Sequence, residues 1–251
     1  MIGRYNLRLI CLVLVIHLSA SGNLIAQNSS LEIWPETDIW YRLDSSWRLS
    51  SFIALSKNVE SKYRELSVLV QADYAWGHLK RIFKARLLDD TRAQTVKAWM
   101  ARGGLMEGGS LGDHADNYTE DMVFAELHRR MPLKGNVLLS QRLRGDFRWL
   151  SHDPVEYSYR IRYRIMAEKE FASSRRSIVP YVSAESFWDS RYSTFKRLRI
   201  IGGTTVAWGR PLALEGNITY QYDAKASVTN LYALNIILHL FFETKHSRSN
   251  G

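Results

Sequence analysis

Residues Tyr157 to Met166 read Tyr-Ser-Tyr-Arg-Ile-Arg-Tyr-Arg-Ile-Met, with Tyr157, Tyr159, Ile161, Tyr163 and Ile165 alternating against Arg160, Arg162 and Arg164. Successive side chains of a β-strand point to opposite faces. This segment therefore carries one aromatic-rich apolar face and one cationic face, and the second is too charged for a packed core. A membrane β-barrel accommodates both, with lipid outside and a polar lumen inside.

Similar segments recur with turn signals between them. The pattern predicts strands at Glu32–Leu43, Trp47–Ser56, Glu65–Trp76, His78–Leu88, Met122–Met131, Val137–Trp149, Tyr157–Phe171, Val179–Trp188, Lys196–Trp208, Leu212–Asp223 and Tyr232–Phe242. Soluble strands run to about five or six residues, whereas a tilted membrane strand needs about nine to eleven. The lengths here are of the second kind. Leu212, Leu214, Gly216, Ile218, Tyr220 and Tyr222 share one face, opposite Ala213, Glu215, Asn217, Thr219, Gln221 and Asp223. Leu143, Gly145, Phe147 and Trp149 likewise oppose Arg142, Arg144, Asp146 and Arg148. Arg81 interrupts the apolar positions of His78–Leu88, and Lys196–Trp208 is mixed. Trp47 opens a strand, while Trp76, Trp149, Trp188 and Trp208 close others, as aromatic girdles at a membrane boundary require. Ordinary core tryptophans are the alternative, though these would sit mid-strand more often.

Connection lengths also alternate. Short turns fall at Asp44–Ser46, Gly77, Leu133–Asn136 and Gly209–Pro211, and longer ones near Asn58–Arg64, Asp89–Asp121, Ser151–Glu156, Asp189–Phe195 and Ala224–Leu231. Membrane barrels keep short turns on the periplasmic side and long loops outside. Bacterial single-chain barrels usually have an even strand number. The expectation is therefore an all-β, antiparallel transmembrane β-barrel of about 12 strands (range 10–12), the last one drawn from residues 27–35 or from Thr95–Met106.

The N-terminus adds a compartment. Arg4 and Arg8 precede an apolar run over Leu9–Leu18 broken only by His17, and small residues follow. This reads as a signal peptide over residues 1–26, followed by a barrel over 27–242 and a polar tail over 243–251. The single cysteine, Cys11, lies in the leader, so the mature chain has none and carries no disulfide. Removing the leader takes away two arginines and leaves +7 of the formal +9 charge. An exported chain has little use for nucleic acid, and a basic lumen or anionic lipid headgroups explain the charge better. Beyond the leader no apolar run reaches the roughly 20 residues of a membrane helix, so a closed barrel is the one way this chain could span a bilayer.

Strand parity places Arg142, Arg144, Arg148, Arg160, Arg162 and Arg164 on the lumen side, with Asp38, Asp146, Glu168, Glu185 and Glu215 as inward acids. Arg142, Arg144, Asp146, Arg148, Arg160, Arg162, Arg164, Glu185 and Glu215 are the candidate lumen-lining residues. Either acids and arginines pair to fill a narrow lumen, or surplus arginines line an aqueous path that favours anions. A barrel near twelve strands lies between filled small barrels and open porins.

Catalytic signals are weak. Gly108-Gly109-Ser110-Leu111-Gly112 matches Gly-x-Ser-x-Gly in form, but that motif acts at a strand-to-helix turn, and an enzyme of this kind needs a nucleophile beside a positioned base. A barrel phospholipase would need histidine and serine on the lipid face, whereas His239 points inward by parity and reads as structural. Asp113, His114, Asp116, Glu120 and Asp121 cluster in the Asp89–Asp121 segment but lack an EF-hand pattern, and read as a solvated extracellular loop. No zinc spacing occurs. No metal or cofactor is expected. The sequons at Asn28, Asn117 and Asn217 are uninformative.

Trp34-Pro35-Glu36 with Tyr41-Arg42-Leu43, Arg142–Trp149, Tyr159–Arg164, Pro180–Glu185 with Phe187, and the terminal strand occur in an order that resembles an uncharacterised bacterial outer-membrane β-barrel family, catalogued as domain of unknown function 2490. The resemblance spans roughly residues 31–242 and is poorest over 89–117. It implies an outer-membrane barrel and supplies no activity. Leu234, Ile236, Leu238, Leu240 and Phe242 also resemble the terminal strand by which such barrels are recognised for insertion, although a polar tail follows here. The expected partners are thus outer-membrane lipids and the barrel-assembly machinery. The expected function is a narrow arginine-lined pore or structural envelope barrel. The alternatives are a lipid-modifying enzyme of the outer membrane and a periplasmic soluble ligand-binding β-barrel.

Overall fold

The computed structural model describes residues 29–79, 97–112, 117–151, 156–172, 176–207, 211–224 and 229–243. The expected signal peptide, most of the expected strand His78–Leu88, the acidic positions 113–116, Trp208 and the tail beyond Glu243 lie outside these residues.

The described chain is all β. Its strands are β1 (Ser29–Arg42), β2 (Trp47–Asn58), β3 (Arg64–Trp76), β4 (Trp99–Ser110), β5 (Thr119–Leu133), β6 (Val137–Leu150), β7 (Glu156–Lys169), β8 (Phe171–Ala172), β9 (Ser177–Asp189), β10 (Thr194–Ala207), β11 (Leu212–Asp223) and β12 (Asn230–Glu243). Successive long strands pair antiparallel, and β1 closes the sheet by pairing with β12. β8 is a two-residue strand set against Ser177 and Ile178 of β9, after β7 has ended. The wall of the barrel therefore holds eleven long strands.

This differs from the even count expected from sequence. An antiparallel meander with an odd number of strands brings its first and last strands together pointing the same way. The seam between β1 and β12 is accordingly parallel, running from Ser29 opposite Asn230 to Arg42 opposite Glu243. Ser29 and Glu243 thus leave from opposite rims. Of the two sources considered for a further strand, Ser29–Pro35 is simply the start of β1, and Thr95–Met106 overlaps β4.

β4 is the main departure from the predicted elements. β3 pairs with Trp99–Ser110, not with residues around His78–Leu88. Met100, Arg102, Gly104, Met106 and Gly108 share one face of β4. Four glycines dilute the alternation, and glycine is a weak strand signal. The segment read as one long loop, Asp89–Asp121, is therefore largely β4 and the start of β5. The longest connection is 77–98, and it shares a rim with the short turns 43–46, 134–136 and 208–211. The strict alternation of short and long connections does not hold.

β10 departs for a different reason. Its pairing with β9 shifts register between Phe195 and Arg197, a β-bulge. The extra residue changes parity within the strand, so Lys196, Arg197 and Arg199 all reach the interior while Leu198 and Ile200 face out. In the β1–β2 turn, Ser46 and Trp47 donate backbone N–H groups to Asp44 Oδ1 at 2.6 and 2.8 Å. These bonds hold the Asp44 carboxyl below the usual carboxylate range.

The interior has three tiers. Nearest the rim that carries Glu243 it holds two apolar clusters, Leu79, Leu138 and Val179 in one and Ala207, Ala213 and Phe241 in another against Trp40, with buried Glu168 opposite Leu138. Charged side chains cross the middle. A cavity of about 510 Å³ occupies the half towards Ser29. Two inward glycines make room for rings. A Cβ on Gly104 would lie 2.6 Å from the Phe124 ring, and one on Gly203 would lie 2.4 Å from Asn217 Cβ and 2.8 Å from the Tyr181 hydroxyl.

Gly203→Ala is expected to destabilise the barrel by about 1–3 kcal/mol through overpacking. Gly202→Ala, on the outer face with nothing within 4 Å of the added carbon, should behave as wild type. Urea unfolding of the two variants in detergent, followed by tryptophan fluorescence, checks the pair.

Candidate functional site

The charged tier begins as a ladder of residues that face one another directly across adjacent strands. Arg48 of β2 lies opposite Asp73 of β3, Asp73 opposite Arg102 of β4, Arg102 opposite Glu126 of β5, and Glu126 opposite Arg144 of β6. The sign alternates at every step, which is the favourable cross-strand arrangement. Arg48 Nη2 approaches Asp73 Oδ2 at 2.6 Å, and Arg102 Nε approaches Asp73 Oδ1 at 2.6 Å. Arg102 Nη1 lies 3.4 Å from Glu126 Oε2, and Arg144 Nη1 lies 2.8 Å from Glu126 Oε1. Because the ladder runs perpendicular to tilted strands, it climbs from near one rim at Arg48 to mid-height at Arg144.

From β6 onwards the direct partners are alike in charge: Arg144 opposes Arg162, and Arg142 opposes Arg164. Carboxylates one step along the strands resolve the conflict. Asp146 accepts from Arg144, lies 2.8 Å from Arg160 Nη2 and 3.8 Å from Arg162 Nη1. Glu185 of β9 accepts two bonds from Arg162, at 2.9 and 3.0 Å, and one from Arg142. Aromatic rings add to the network. The Arg144 guanidinium lies 4.0 Å from the Phe124 ring centre and that of Arg48 lies 4.1 Å from Trp40, distances at which a desolvated cation is attracted to the ring face. Asp73 and Asp146 have no exposed surface at all.

A second group lies across the lumen. His239 of β12 places Nδ1 3.0 Å from Asp38 Oδ2 and Nε2 3.2 Å from Glu215 Oε2. Glu215 also accepts from Thr205 Oγ1 at 3.0 Å, from Asn217 Nδ2 at 3.2 Å and from the Tyr181 hydroxyl. An imidazole fixed between two carboxylates is clamped in orientation, and among the described residues no serine or threonine donates to it. It braces β1, β11 and β12 across the parallel seam.

All nine lumen candidates point inward. Arg142, Arg144, Asp146, Arg160, Arg162 and Glu185 meet in one network. Arg148 stands apart, paired with Glu120 and 3.7 Å from Asp189. Glu215 belongs to the His239 group. Arg164 makes no hydrogen bond or ion pair among the described residues, although it lies opposite Glu185. Sequence reasoning missed Arg48, Asp73, Arg102, Glu120 and Glu126. Parity alone placed them inward once their strands were known, but only the register reveals that they are neighbours. At the far rim, Arg191 in the β9–β10 turn bonds Asp189 at 2.9 Å, which holds its guanidinium above the ordinary arginine value.

No group of three or more histidine, cysteine, aspartate or glutamate residues with metal-binding geometry occurs among the described residues. A family model described as a protein of unknown function (DUF2490) matches residues 33–232. No curated protein and no solved structure matches the chain.

Asp146→Asn would leave Arg144, Arg160 and Arg162 short of a buried counter-charge. A loss of about 3–5 kcal/mol is expected, against less than about 0.5 kcal/mol for Asp121→Asn on the outer face. Equilibrium unfolding of both variants measures the difference, and equal losses would mean that the network does not brace the barrel.

Proposed function

The chain belongs to the DUF2490 family, and we propose that it is an outer-membrane β-barrel whose lumen is sealed by its own charges, a structural component of the envelope and not a standing conduit. The observation that carries this reading is the inner charged tier. Its guanidinium and carboxylate side chains, from Arg48 to Glu185, are each less than 15% exposed, and two apolar clusters lie towards the rim that carries Glu243. Ions so placed tie neighbouring strands together and fill the middle of the lumen with paired side chains.

The outer surface supports a lipid setting. Leu105, Leu143, Val182 and Ile218 are 56, 52, 55 and 62% exposed, and they belong to an apolar band far larger than a soluble monomer normally shows. Aromatic rings flank the band at both rims. Trp47, Tyr74, Trp76 and Trp99 form a run with successive ring centres 4.9, 5.8 and 6.4 Å apart. At the other rim Trp149 pairs with Tyr157, Tyr159 with Trp188, and Tyr220 with Tyr232. Two girdles around an apolar belt are the signature of a membrane barrel. The soluble-barrel alternative would leave this belt in water. Against the lipid-enzyme alternative, His128 and His239 both bond carboxylates inside the lumen. The pore reading keeps one observation in its favour, the arginine surplus that leaves Arg164 without an ion pair among the described residues.

In a planar bilayer the refolded mature chain is expected to be silent, while Arg144→Ala combined with Arg162→Ala opens an anion-preferring leak. Steady steps from the unaltered chain would instead favour the pore. Because the mature chain is free of cysteine, single cysteines report its sidedness. With Ser45→Cys and Tyr192→Cys at opposite rims, an impermeant maleimide should label only the latter in intact cells. Labelling of both would argue against a membrane-spanning barrel.

A further inference from the structure

The cavity of about 510 Å³ above the charged tier falls in the range of small-molecule sites, roughly 300–1,000 Å³. Its lining reaches the strand ends at Tyr118, Arg191 and Leu231. Its charges are sorted by wall. On one side, guanidinium groups of Arg160, Arg197 and Arg199 surround Phe187, with centres 5.6, 5.7 and 5.2 Å from the ring. Arg160 is paired with Asp146 and Arg197 with Asp223. Arg199 differs from both. It donates from Nε and Nη2 to the neutral amide oxygen of Gln221, at 3.1 and 2.6 Å, and has no carboxylate within ion-pair distance among the described residues.

The opposite wall has the converse arrangement. Glu32 accepts from Trp34 Nε1 at 2.6 Å and from Ser56 Oγ at 2.8 Å. Glu65 accepts from the hydroxyls of Tyr63 and Tyr118 at 2.8 and 2.9 Å. Every donor to these two carboxylates is neutral, and no cation lies within ion-pair distance of either among the described residues. Between the walls stands Trp34, which bonds Glu32 and lies 5.5 Å from the Arg199 guanidinium. In the ladder below, opposite charges meet directly, whereas here Glu32, Glu65 and Arg199 line one cavity without an ion pair among the described residues.

We propose that this cavity binds a small zwitterion. An anionic group, such as a phosphodiester, would sit on Arg199, and a protonated amine would sit near Glu32 and Glu65, with Trp34 covering the link between them. A ligand carrying both charges satisfies both walls at once, whereas a simple anion or cation satisfies one and leaves the other unpaired. The proposal goes beyond the sealed-lumen reading and holds whether or not the tier below conducts.

The test is calorimetric titration of the refolded mature chain in a maltoside detergent, which has no zwitterionic head. Glycerophosphoethanolamine should bind at least tenfold more tightly than glycerol phosphate or ethanolamine. Arg199→Gln and Glu65→Gln should each lose at least tenfold for the zwitterion, Arg199→Lys less, with folding of each variant verified by heat-dependent gel mobility. Repeating the titration in phosphatidylglycerol discs with and without phosphatidylethanolamine separates the sources. Loss of the signal only with the second lipid assigns the site to a lipid headgroup, and an unchanged signal assigns it to a free solute. Glycerol phosphate binding as tightly as the zwitterion, or no heat from any of the three, would overturn the proposal.

Discussion

Closure of the sheet by the parallel pairing of β1 with β12 is the constraint on which the rest depends. Fourteen residue pairs along this seam convert an eleven-strand meander into a barrel with no free edge. Without it there is no interior, and the inward face of every strand would be solvated. Parallel pairing is slightly weaker per residue than antiparallel pairing. The seam is reinforced from inside by His239, which joins Asp38 of β1 to Glu215 of β11 across β12.

Closure in turn dictates the electrostatics. Inward positions of eleven long strands converge on a narrow space, and an unpaired ion there would be penalised by several kcal/mol. The ladder from Arg48 to Arg144 solves this by alternating sign between directly opposed residues. Where arginine opposes arginine, between β6 and β7, Asp146 and Glu185 supply the missing charge from neighbouring positions. The arrangement also specifies register. A one-residue slip of any of these strands would turn its charges outward and its apolar residues inward. The same charges that cross the lumen therefore resist alternative pairings of the wall.

Much of this was legible along the chain. The period-two pattern of Tyr157–Met166 and of Leu212–Asp223 gave strand type, length and the inward set, and ten of the eleven long strands were found within a few residues. The exceptions have separate physical causes. In β4, glycines that admit the Phe124 ring erase the hydrophobic contrast, so a strand read as loop. In β10 a bulge changes parity at Phe195–Arg197 and hides Arg199, a cation that lines the cavity. The eleven segments named along the chain equal the number of long strands, but the parallel meeting of the first and last was hidden, because no local pattern reports how the ends meet.

The all-β character, the strand spacing and the division of each strand into an apolar and a charged face follow from the order of residues alone, because alternation is a property of neighbours in the chain. Tertiary structure alone decided the partners. Arg48, Asp73, Arg102 and Glu126 are separated by 24 to 29 positions in the chain and become adjacent only through register. Whether a given arginine is neutralised, as Arg162 is by Glu185, or left facing a cavity, as Arg199 is, depends on distances of a few ångströms across a closed lumen. Side-chain direction is set locally, but the counter-charge is supplied from another strand, and closure of the barrel chooses which one.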